Sequence, residues 1–304
     1  MGKFEIGLVL NTGQWGPERN LAHWSELREM ALRAEALGFD TVWTPDELLW
    51  LPKDKPPMGF WEGVAMAGAV AAVTSRIKVG TWVLSALHRN AGITAKAVET
   101  LDEISGGRFV LGLGAGHAEP GQAHAFGLPE DKIFARLEEA LQIIVPLLRE
   151  GRADFHGEFH VANDLVQLPQ GPRPGRIPIM LGVLGPRGQR LAARYADIWS
   201  CYAEDKNDMT ELGPRLATLE AACAEVGRDP ATIGRSAGVW VKPLEPEPSP
   251  TAAQLSGSPE QIADALRTIR DGGFTQVELA PTPVSVEAVE ALAPVLELLR
   301  ADER

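Results

Sequence analysis

The chain has 304 residues, of which 45% are apolar and 23% charged, which is ordinary for a folded globular protein. Its formal net charge of −12 would repel a phosphate backbone, so nucleic acid is excluded as an expected partner. The longest apolar run, residues 64–73, is about half of the roughly 20 residues that a bilayer span needs, so no membrane partner is expected.

The N-terminal residues and the cysteines indicate the cellular compartment in which the protein is expected. The apolar stretch MGKFEIGLVL is interpreted as a first β-strand rather than a signal peptide. The two cysteines, Cys201 and Cys223, are too far apart for a metal-binding or redox CxxC pattern. We therefore expect a cytoplasmic protein with ordinary thiols.

Apolar β-rich runs alternate with helical runs along the chain. The predicted strands are Phe4–Leu10, Thr41–Thr44, Ile77–Leu84, Phe109–Leu113, Ile177–Leu181, Asp197–Cys201, Arg235–Val241 and Gln276–Leu279. The predicted helices are Leu21–Leu37, Trp61–Val73, Thr94–Ile104, Ile133–Leu148, Gly188–Tyr195, Leu212–Val226, Glu260–Arg270 and Val286–Leu299. Eight successive units of this kind predict a single α/β domain over residues 1–304, a (β/α)8 TIM barrel, with an open doubly wound sheet as the alternative.

Two stretches interrupt the repeat and are predicted to be insertions. Leu48–Phe60 follows the second strand, and Gly151–Gly175 follows the fourth and contains the hairpin-like DFHGEFHV. His156 and His160 alternate with Glu158 in that hairpin, but no HExxH helix or cysteine cluster accompanies them, so no metal site is expected.

Residues 112–116, GLGAG, resemble the start of a dinucleotide-binding glycine loop. The third glycine of that fingerprint is replaced by Glu119, and residues 117–129 are polar and turn-rich, with no helix expected to begin at once. A pyrophosphate loop is therefore disfavoured. Glycines at the mouth of a barrel strand could instead let a flat ring approach the backbone, or could serve only a tight turn.

Several motifs together resemble the bacterial-luciferase-like superfamily of flavin and deazaflavin oxidoreductases. They are SGGRFVLGLGAG at 105–116 with AKAVETL at 95–101, LGFDTVW at 37–43, PIMLGVLGPRGQRLAARYAD at 178–197, and GSPEQ at 257–261. They cover nearly the whole chain. The resemblance implies a TIM barrel, in agreement with the strand count, and it makes a homodimer plausible.

The resemblance also implies where the cofactor binds. Gly182, Leu184, Gly185 and Pro186 follow the fifth strand and enter a helix, whose free amides and dipole suit a cofactor phosphate, although a simple β–α turn is the alternative. The Gly-Pro form of this loop is more similar to the coenzyme F420 branch than to the FMN monooxygenases. Relatives in that branch carry a cis peptide bond against the ring, which here corresponds to Trp82–Val83, and Gly116 is also expected to bind the cofactor.

Three residues are the candidate catalytic groups. Asp46 and Glu47 follow the second strand; Asp46 matches an acidic residue of the relatives that lies near the ring, whereas Glu47 departs from their pattern. His117 stands where the sugar-phosphate dehydrogenase subfamily has a glutamate. A neutral imidazole exchanges protons near pH 7, so His117 suits hydride chemistry, although a loop histidine without a role is the alternative.

Aromatic residues are expected around the ring. Tryptophans lie within or at the ends of predicted strands, and others, with one phenylalanine, lie in loops above the mouth, where they are expected to form a lid. The first group is Trp43, Trp82, Trp199 and Trp240, and the second is Trp15, Trp50, Phe60 and Trp61.

The expected function is an F420-dependent oxidoreductase that transfers a hydride between the deazaflavin and a small organic substrate. One alternative is an FMN-dependent luciferase-like monooxygenase, for which a separate flavin reductase would supply the reduced cofactor. The alternative of another class is a non-catalytic flavin-binding helper subunit.

Overall fold

The computed structural model describes residues 3–14, 21–116, 120–249 and 253–302. The strands in chain order are β1 (Glu5–Val9), β2 (Thr41–Thr44), β3 (Leu49–Trp50), β4 (Met58–Gly59), β5 (Lys78–Thr81), β6 (Leu84–Ser85), β7 (Phe109–Gly114), β8 (Arg152–His156), β9 (Val161–Val166), β10 (Ile179–Gly182), β11 (Ile198–Tyr202), β12 (Gly234–Lys242), β13 (Leu255–Ser256) and β14 (Gln276–Pro281). The helices are α1 (Trp24–Leu37), α2 (Gly63–Val73), α3 (Ala91–Ile104), α4 (Pro120–Phe126), α5 (Ile133–Glu150), α6 (Gly185–Tyr195), α7 (Met209–Val226), α8 (Pro259–Asp271), α9 (Val286–Glu290) and α10 (Ala293–Ala301).

Eight parallel strands form a closed ring in the order β1, β2, β5, β7, β10, β11, β12, β14. Two pairings close it: Met180 of β10 lies beside Gly112 of β7, and Glu5 of β1 lies beside Gln276 of β14. The predicted TIM barrel is therefore confirmed, and the open sheet is excluded. Strands of such a barrel are covered on both faces, which explains why all six residues of β7 are buried.

The barrel interior is filled around one tryptophan. Trp43 packs inside the ring with Val9, Val110, Met180 and Ala280 in a cluster separate from the larger core beneath the helices. The neighbouring strands contribute Gly7 and Gly80, and a Cβ on Gly80 would lie 2.2 Å from the Trp43 ring. Glycine at these positions therefore makes room for the indole.

Both predicted insertions are present at the expected places, and each contains a hairpin. In the first, β3 pairs antiparallel with β4, with Trp50 opposite Met58. In the second, β8 pairs with β9, as DFHGEFHV indicated. The first insertion directly follows β2 and so places its side chains near the C-terminal mouth, whereas the second follows helix α5 and leads into β10.

Three predicted elements differ from the structure. The third predicted strand, Ile77–Leu84, is split into β5 and β6, because the backbone leaves the ladder at Trp82 and Val83. No helix was expected to begin at once in residues 117–129, yet α4 begins at Pro120, since a proline is well tolerated in the first helical turn. The last predicted helix, Val286–Leu299, is two helices, and the second has Pro294 in its first turn, where the missing N–H costs no helical bond.

Within the described ranges, no helix combines the length and apolar character needed to cross a membrane.

Candidate functional site

A cavity of about 440 Å³ opens at the C-terminal ends of the barrel strands. This is where TIM barrels carry their active sites. The walls are mainly apolar and aromatic, and a few polar side chains reach the cavity. The apolar lining includes Val9, Trp50, Phe60, Val83, Phe134, Leu184 and Trp240, and the polar lining includes Asn11, Glu47, His88, Ser200 and Tyr202. None of the described lining residues is a lysine or an arginine.

Most of the residues singled out from the sequence border this cavity. They are Asp46, Glu47, Trp82, Val83, Gly116, Gly182 and Leu184. Gly185 and Pro186 lie directly beyond Leu184, in the first turn of α6. His117 lies outside the described residues, as does Trp15, so their roles stay predictions.

Both carboxylate oxygens of Asp46 accept hydrogen bonds from neighbouring groups. Its Oδ2 accepts hydrogen bonds from Arg89 Nη1 at 2.7 Å and from the backbone N–H of Ser85 at 2.9 Å, and its Oδ1 accepts from Arg89 Nη2 at 2.7 Å. Burial alone would raise the pKa of Asp46, but the bonds from Arg89 and His88 outweigh burial and lower that pKa. The lowered pKa favours the ionised carboxylate, which binds Arg89, and Arg89 in turn contacts Glu62.

His88 is a cavity residue that the sequence did not single out. Its Nδ1 lies 3.2 Å from Asp46 Oδ2, and its Nε2 lies 3.3 Å from Gln122 Nε2. Gln122 Oε1 accepts from the backbone N–H groups of Leu48 and Leu49, each at 2.8 Å, so its amide nitrogen must be the atom that faces His88. Since an amide nitrogen only donates, His88 Nε2 is the acceptor in this contact, and Nδ1 carries the hydrogen that points to Asp46.

Glu47 lies at the first insertion. Its Oε2 accepts a hydrogen bond from Trp50 Nε1 at 3.3 Å, and the Trp50 ring packs at an angle against Phe60, with centroids 5.8 Å apart. Across the cavity, burial and the neighbouring Glu204 raise the pKa of Tyr202, and Glu47 adds the smallest contribution. Of the predicted lid aromatics, Trp50 and Phe60 border the cavity, whereas Trp61 bonds Ala22 on the outside.

The glycines of residues 112–116 are explained by their close contacts with neighbouring residues. A Cβ on Gly112 would lie 1.8 Å from the carbonyl oxygen of Thr81, and one on Gly114 would lie 2.8 Å from Val83 Cγ2. Gly182, on the other side, would place its Cβ 2.8 Å from Val83 Cγ1. Close contact with the segment after β5, rather than the approach of a ring, therefore accounts for these glycines. Gly116, at φ 94°, requires the left-handed region that glycine favours.

The Trp82–Val83 peptide bond is cis, as the resemblance predicted. It places Val83 between Gly114 and Gly182 and directs Trp82 toward β11 and β12. Trp82 Nε1 donates to Ser200 Oγ at 3.0 Å, and its ring fills the space beside Gly238. Of the predicted strand tryptophans, Trp82 and Trp240 border the cavity, and the other two are buried away from it.

Among the described residues, no side chain caps the backbone N–H groups at the start of α6, which lies at the cavity edge. Leu184, its N-cap residue, supplies no side-chain cap, and the first turn contains no acidic side chain. Gly185 has φ 73°, and a Cβ there would meet nothing within 4 Å. Unpaired N–H groups and the positive end of the helix dipole suit an anion.

The described residues give little support for thiol chemistry at the site or for a metal site in the hairpin. Burial raises the pKa of the Cys201 thiol to about 12, so it stays protonated and unreactive. In the hairpin, His156 lies 3.5 Å from Asp154, and no cluster of three or more metal-ligating side chains occurs among the described residues.

Comparison with known proteins places the chain in one family. Residues 4–246 match the family model described as luciferase-like monooxygenase. The F420-dependent hydroxymycolic acid dehydrogenase of Mycobacterium tuberculosis is 32% identical over 254 residues, which cover 82% of this chain and 66% of that protein. The pyrimidine monooxygenase RutA of Escherichia coli is 32% identical over 178 residues, covering 56% of this chain and 46% of that protein.

A solved structure has the same overall fold as this chain. An F420-dependent secondary alcohol dehydrogenase in complex with an F420–acetone adduct has a TM-score of 0.78 and 20% sequence identity to this chain, covering 99% of each. The sequence match spans less than two thirds of each of the two relatives named above, while the family model covers most of this chain. The chain belongs to the luciferase-like monooxygenase family.

Proposed function

We propose that this chain, as one domain, is an oxidoreductase that binds coenzyme F420 at the barrel mouth and transfers a hydride between the deazaflavin and a small organic substrate. The observation that carries the proposal is the continuity of the apolar cavity with the uncapped start of α6. Gly182 and Leu184 border the cavity, and Gly185 begins the helix.

The residues fit the cofactor in two respects. The aromatic and aliphatic walls suit a planar ring, and the free amides at the start of α6 suit a phosphate on its side chain. When bound, the deazaflavin would supply the hydride chemistry at its C5 carbon. Trp82, Val83 and Leu184 would bind and orient the ring, while Trp50 and Phe60 would exclude water.

The described lining favours an uncharged, largely apolar substrate. It contains no lysine or arginine to pair with a substrate phosphate, and Arg89 is already bound by Asp46. The carboxylate of Glu47 would repel an anion. A secondary alcohol or ketone with aliphatic substituents matches this lining better than a sugar phosphate does.

Among the described polar groups of the lining, His88 and Glu47 could each exchange a proton with such a substrate. The lone pair on His88 Nε2 would accept the alcohol proton once the Gln122 amide moves aside, and Asp46 would stabilise the resulting imidazolium. Asp46 would then be a positioning residue rather than the base. His117 stays a predicted alternative for this role.

Titration of the purified chain with F420 and with FMN, followed by ring absorbance and fluorescence, tests the proposal. Tight F420 binding with weak FMN binding, together with alcohol-dependent F420 reduction, would support it. The reverse preference, with oxygen-dependent turnover and reduced FMN supplied by a reductase, would favour the monooxygenase. Binding of either cofactor with no turnover across alcohols would favour the helper subunit.

We also propose that the chain works as a homodimer in the cytoplasm. Pairing through barrel helices follows from the family resemblance, and the two buried free cysteines fit a reducing compartment. Light scattering after size exclusion gives the mass directly. A 32.7 kDa species would contradict the dimer.

A further inference from the structure

A line of hydrogen bonds runs from the cavity into the barrel interior. Trp82 Nε1 donates to Ser200 Oγ, which lies 3.5 Å from Ser236 Oγ, and Ser236 Oγ lies 3.0 Å from Glu278 Oε1. Trp82 and Ser200 border the cavity, whereas Ser236 and Glu278 do not. An indole N–H can only donate and an ionised carboxylate can only accept, so with Glu278 ionised all the bonds run in one direction, from Trp82 to Glu278.

Glu278 lies inside the barrel with 1% of its surface exposed. Its Oε1 also accepts from Gln276 Nε2 at 2.6 Å, while its Oε2 has no hydrogen-bond partner among the described residues. The Nε1 of Trp43 likewise has none there. The two atoms face each other across Gly7, whose added Cβ would lie 1.9 Å from Oε2 and 2.4 Å from the indole nitrogen.

The packed elements bring few charges to this carboxyl. β1 contributes Glu5 and β5 contributes Lys78, and these two pair with each other at 2.6 Å. β2 contributes Trp43, which does not titrate, and Arg235 of β12 lies on the opposite face, beside Gly273. Among the described residues, Glu278 therefore has no cation of its own, and an ionised carboxylate without one is costly to bury.

We propose that Glu278 is a positioning residue for the cavity floor and acts through Ser236 and Ser200 to set how the Trp82 indole is held. An ionised carboxylate accepts a stronger hydrogen bond than a neutral one, and each hydroxyl in a chain polarises the next. Loss or gain of the Glu278 proton is thus transmitted to the Trp82 N–H, although Glu278 touches no ligand. The link to catalysis rests on the proposed function, in which Trp82 contacts the cofactor.

Because Glu278 is buried, its carboxyl is expected to gain and lose a proton near neutral pH. Burial raises the pKa of Glu278 to about 7, and the hydrogen bonds from Gln276 and Ser236 oppose the rise only in part. Both protonation states are then populated near neutral pH.

Indole N–H resonances of 15N-tryptophan-labelled protein without cofactor test the proposal. Eight indole signals are expected, and Trp82→Phe and Trp43→Phe identify the two that matter. Both signals should shift between pH 5.5 and 8.5 with one midpoint near 7. Glu278→Gln, which keeps the shape of the side chain, should abolish both shifts.

Ser236→Ala separates the chain of hydroxyls from a direct effect of charge. It should abolish the pH-dependent shift of Trp82 and leave that of Trp43, which faces Glu278 directly. Glu99→Gln is the matched control, because Glu99 is also a buried glutamate with one bonded oxygen and one that has no partner in the described part of the chain, but it lies on α3. A Trp82 signal that ignores pH, or that titrates unchanged in Glu278→Gln, would overturn the proposal.

The same variants also test whether this line of hydrogen bonds affects cofactor binding. F420 affinity should vary by about fivefold between pH 6 and 8 in the wild type and stay flat in Glu278→Gln. An equal pH dependence in both proteins would refute the link to the cavity. Failure of F420 to bind at all would count against the proposed function instead, since the indole measurements need no cofactor.

Discussion

Arg89 and Asp46 form a two-pronged ion pair beneath the cavity wall, with both guanidinium nitrogens 2.7 Å from the two carboxylate oxygens. The Asp46 side chain is fully buried, and 17% of the Arg89 side chain is exposed. The pair joins the loop after β2 to the segment after β6, so the position of the neighbouring His88 depends on it.

Replacing Asp46 by Asn should destabilise the fold by about 3 kcal/mol, because it leaves a partly buried guanidinium without its main partner. Urea unfolding followed by circular dichroism at pH 7 measures the loss. Asp264→Asn, in an exposed pair with Arg267, is the control and should cost at most about 1 kcal/mol. Equal losses in the two variants would show that the buried pair has no special role.

His88→Asn keeps a donor toward Asp46 but removes the Nε2 lone pair. We expect kcat for alcohol oxidation to fall by about 10² to 10⁴, as for loss of a general base, with a smaller change in KM. His124→Asn is the control, since 88% of the His124 side chain is exposed on α4. Unchanged kcat in His88→Asn would transfer the role to another group, such as His117 or Glu47.

Gly185 and Gly227 allow a matched comparison. They have φ of 73° and 71°, and a Cβ on either would meet nothing within 4 Å, but Gly185 starts α6 while Gly227 ends α7. Alanine at either position should cost about 1–2 kcal/mol of stability through the left-handed backbone. Only Gly185→Ala should weaken F420 binding. Equal affinities in the two variants would remove the start of α6 as the phosphate site.

Gly182 and Val83 are expected to be coupled energetically. Gly182→Ala brings a methyl group 2.8 Å from Val83 Cγ1, and such overpacking costs about 1–3 kcal/mol. Val83→Ala should relieve the clash, so the double variant should lose less stability than the sum of the single losses. Gly68→Ala in α2, whose Cβ would have its nearest neighbour at 3.6 Å, should be neutral or stabilising. Strict additivity would contradict the packing described here.

Glu35 gives a prediction for acid pH. Its carboxylate accepts from the backbone N–H groups of Ser75, Arg76 and Ile77, and these bonds, outweighing burial, lower its pKa to about 2. A lowered pKa in the folded state stabilises the fold fully above the ordinary value of 4.5, and the contribution disappears as pH falls toward 2.

Glu35→Gln should therefore lower the free energy of unfolding by about 1–3 kcal/mol at pH 7 and by progressively less below pH 4.5. Urea denaturation at pH 7, 4 and 3 checks this trend. Glu29→Gln, exposed on the same helix, should show no such dependence. A difference that grows on acidification would have the wrong sign for this explanation.

The alternation of strand and helix along the chain was sufficient to predict the barrel and both insertions. Each unit buries its own apolar pattern, and eight such units have one common closed arrangement. The cavity residues that directly follow strands, such as Asp46 and Gly182, were predictable for the same reason, since strand ends meet at the mouth.

Only the tertiary structure decided what these residues contact. His88 and Gln122 are 34 positions apart, and Trp82 and Glu278 are joined through serines on two other strands. No local spacing encodes such contacts, because they depend on strand order and register around the ring. The reason for glycine at positions 112 and 114 is likewise tertiary, because Thr81 and Val83 pack against them. The sequence around these glycines does not predict that contact.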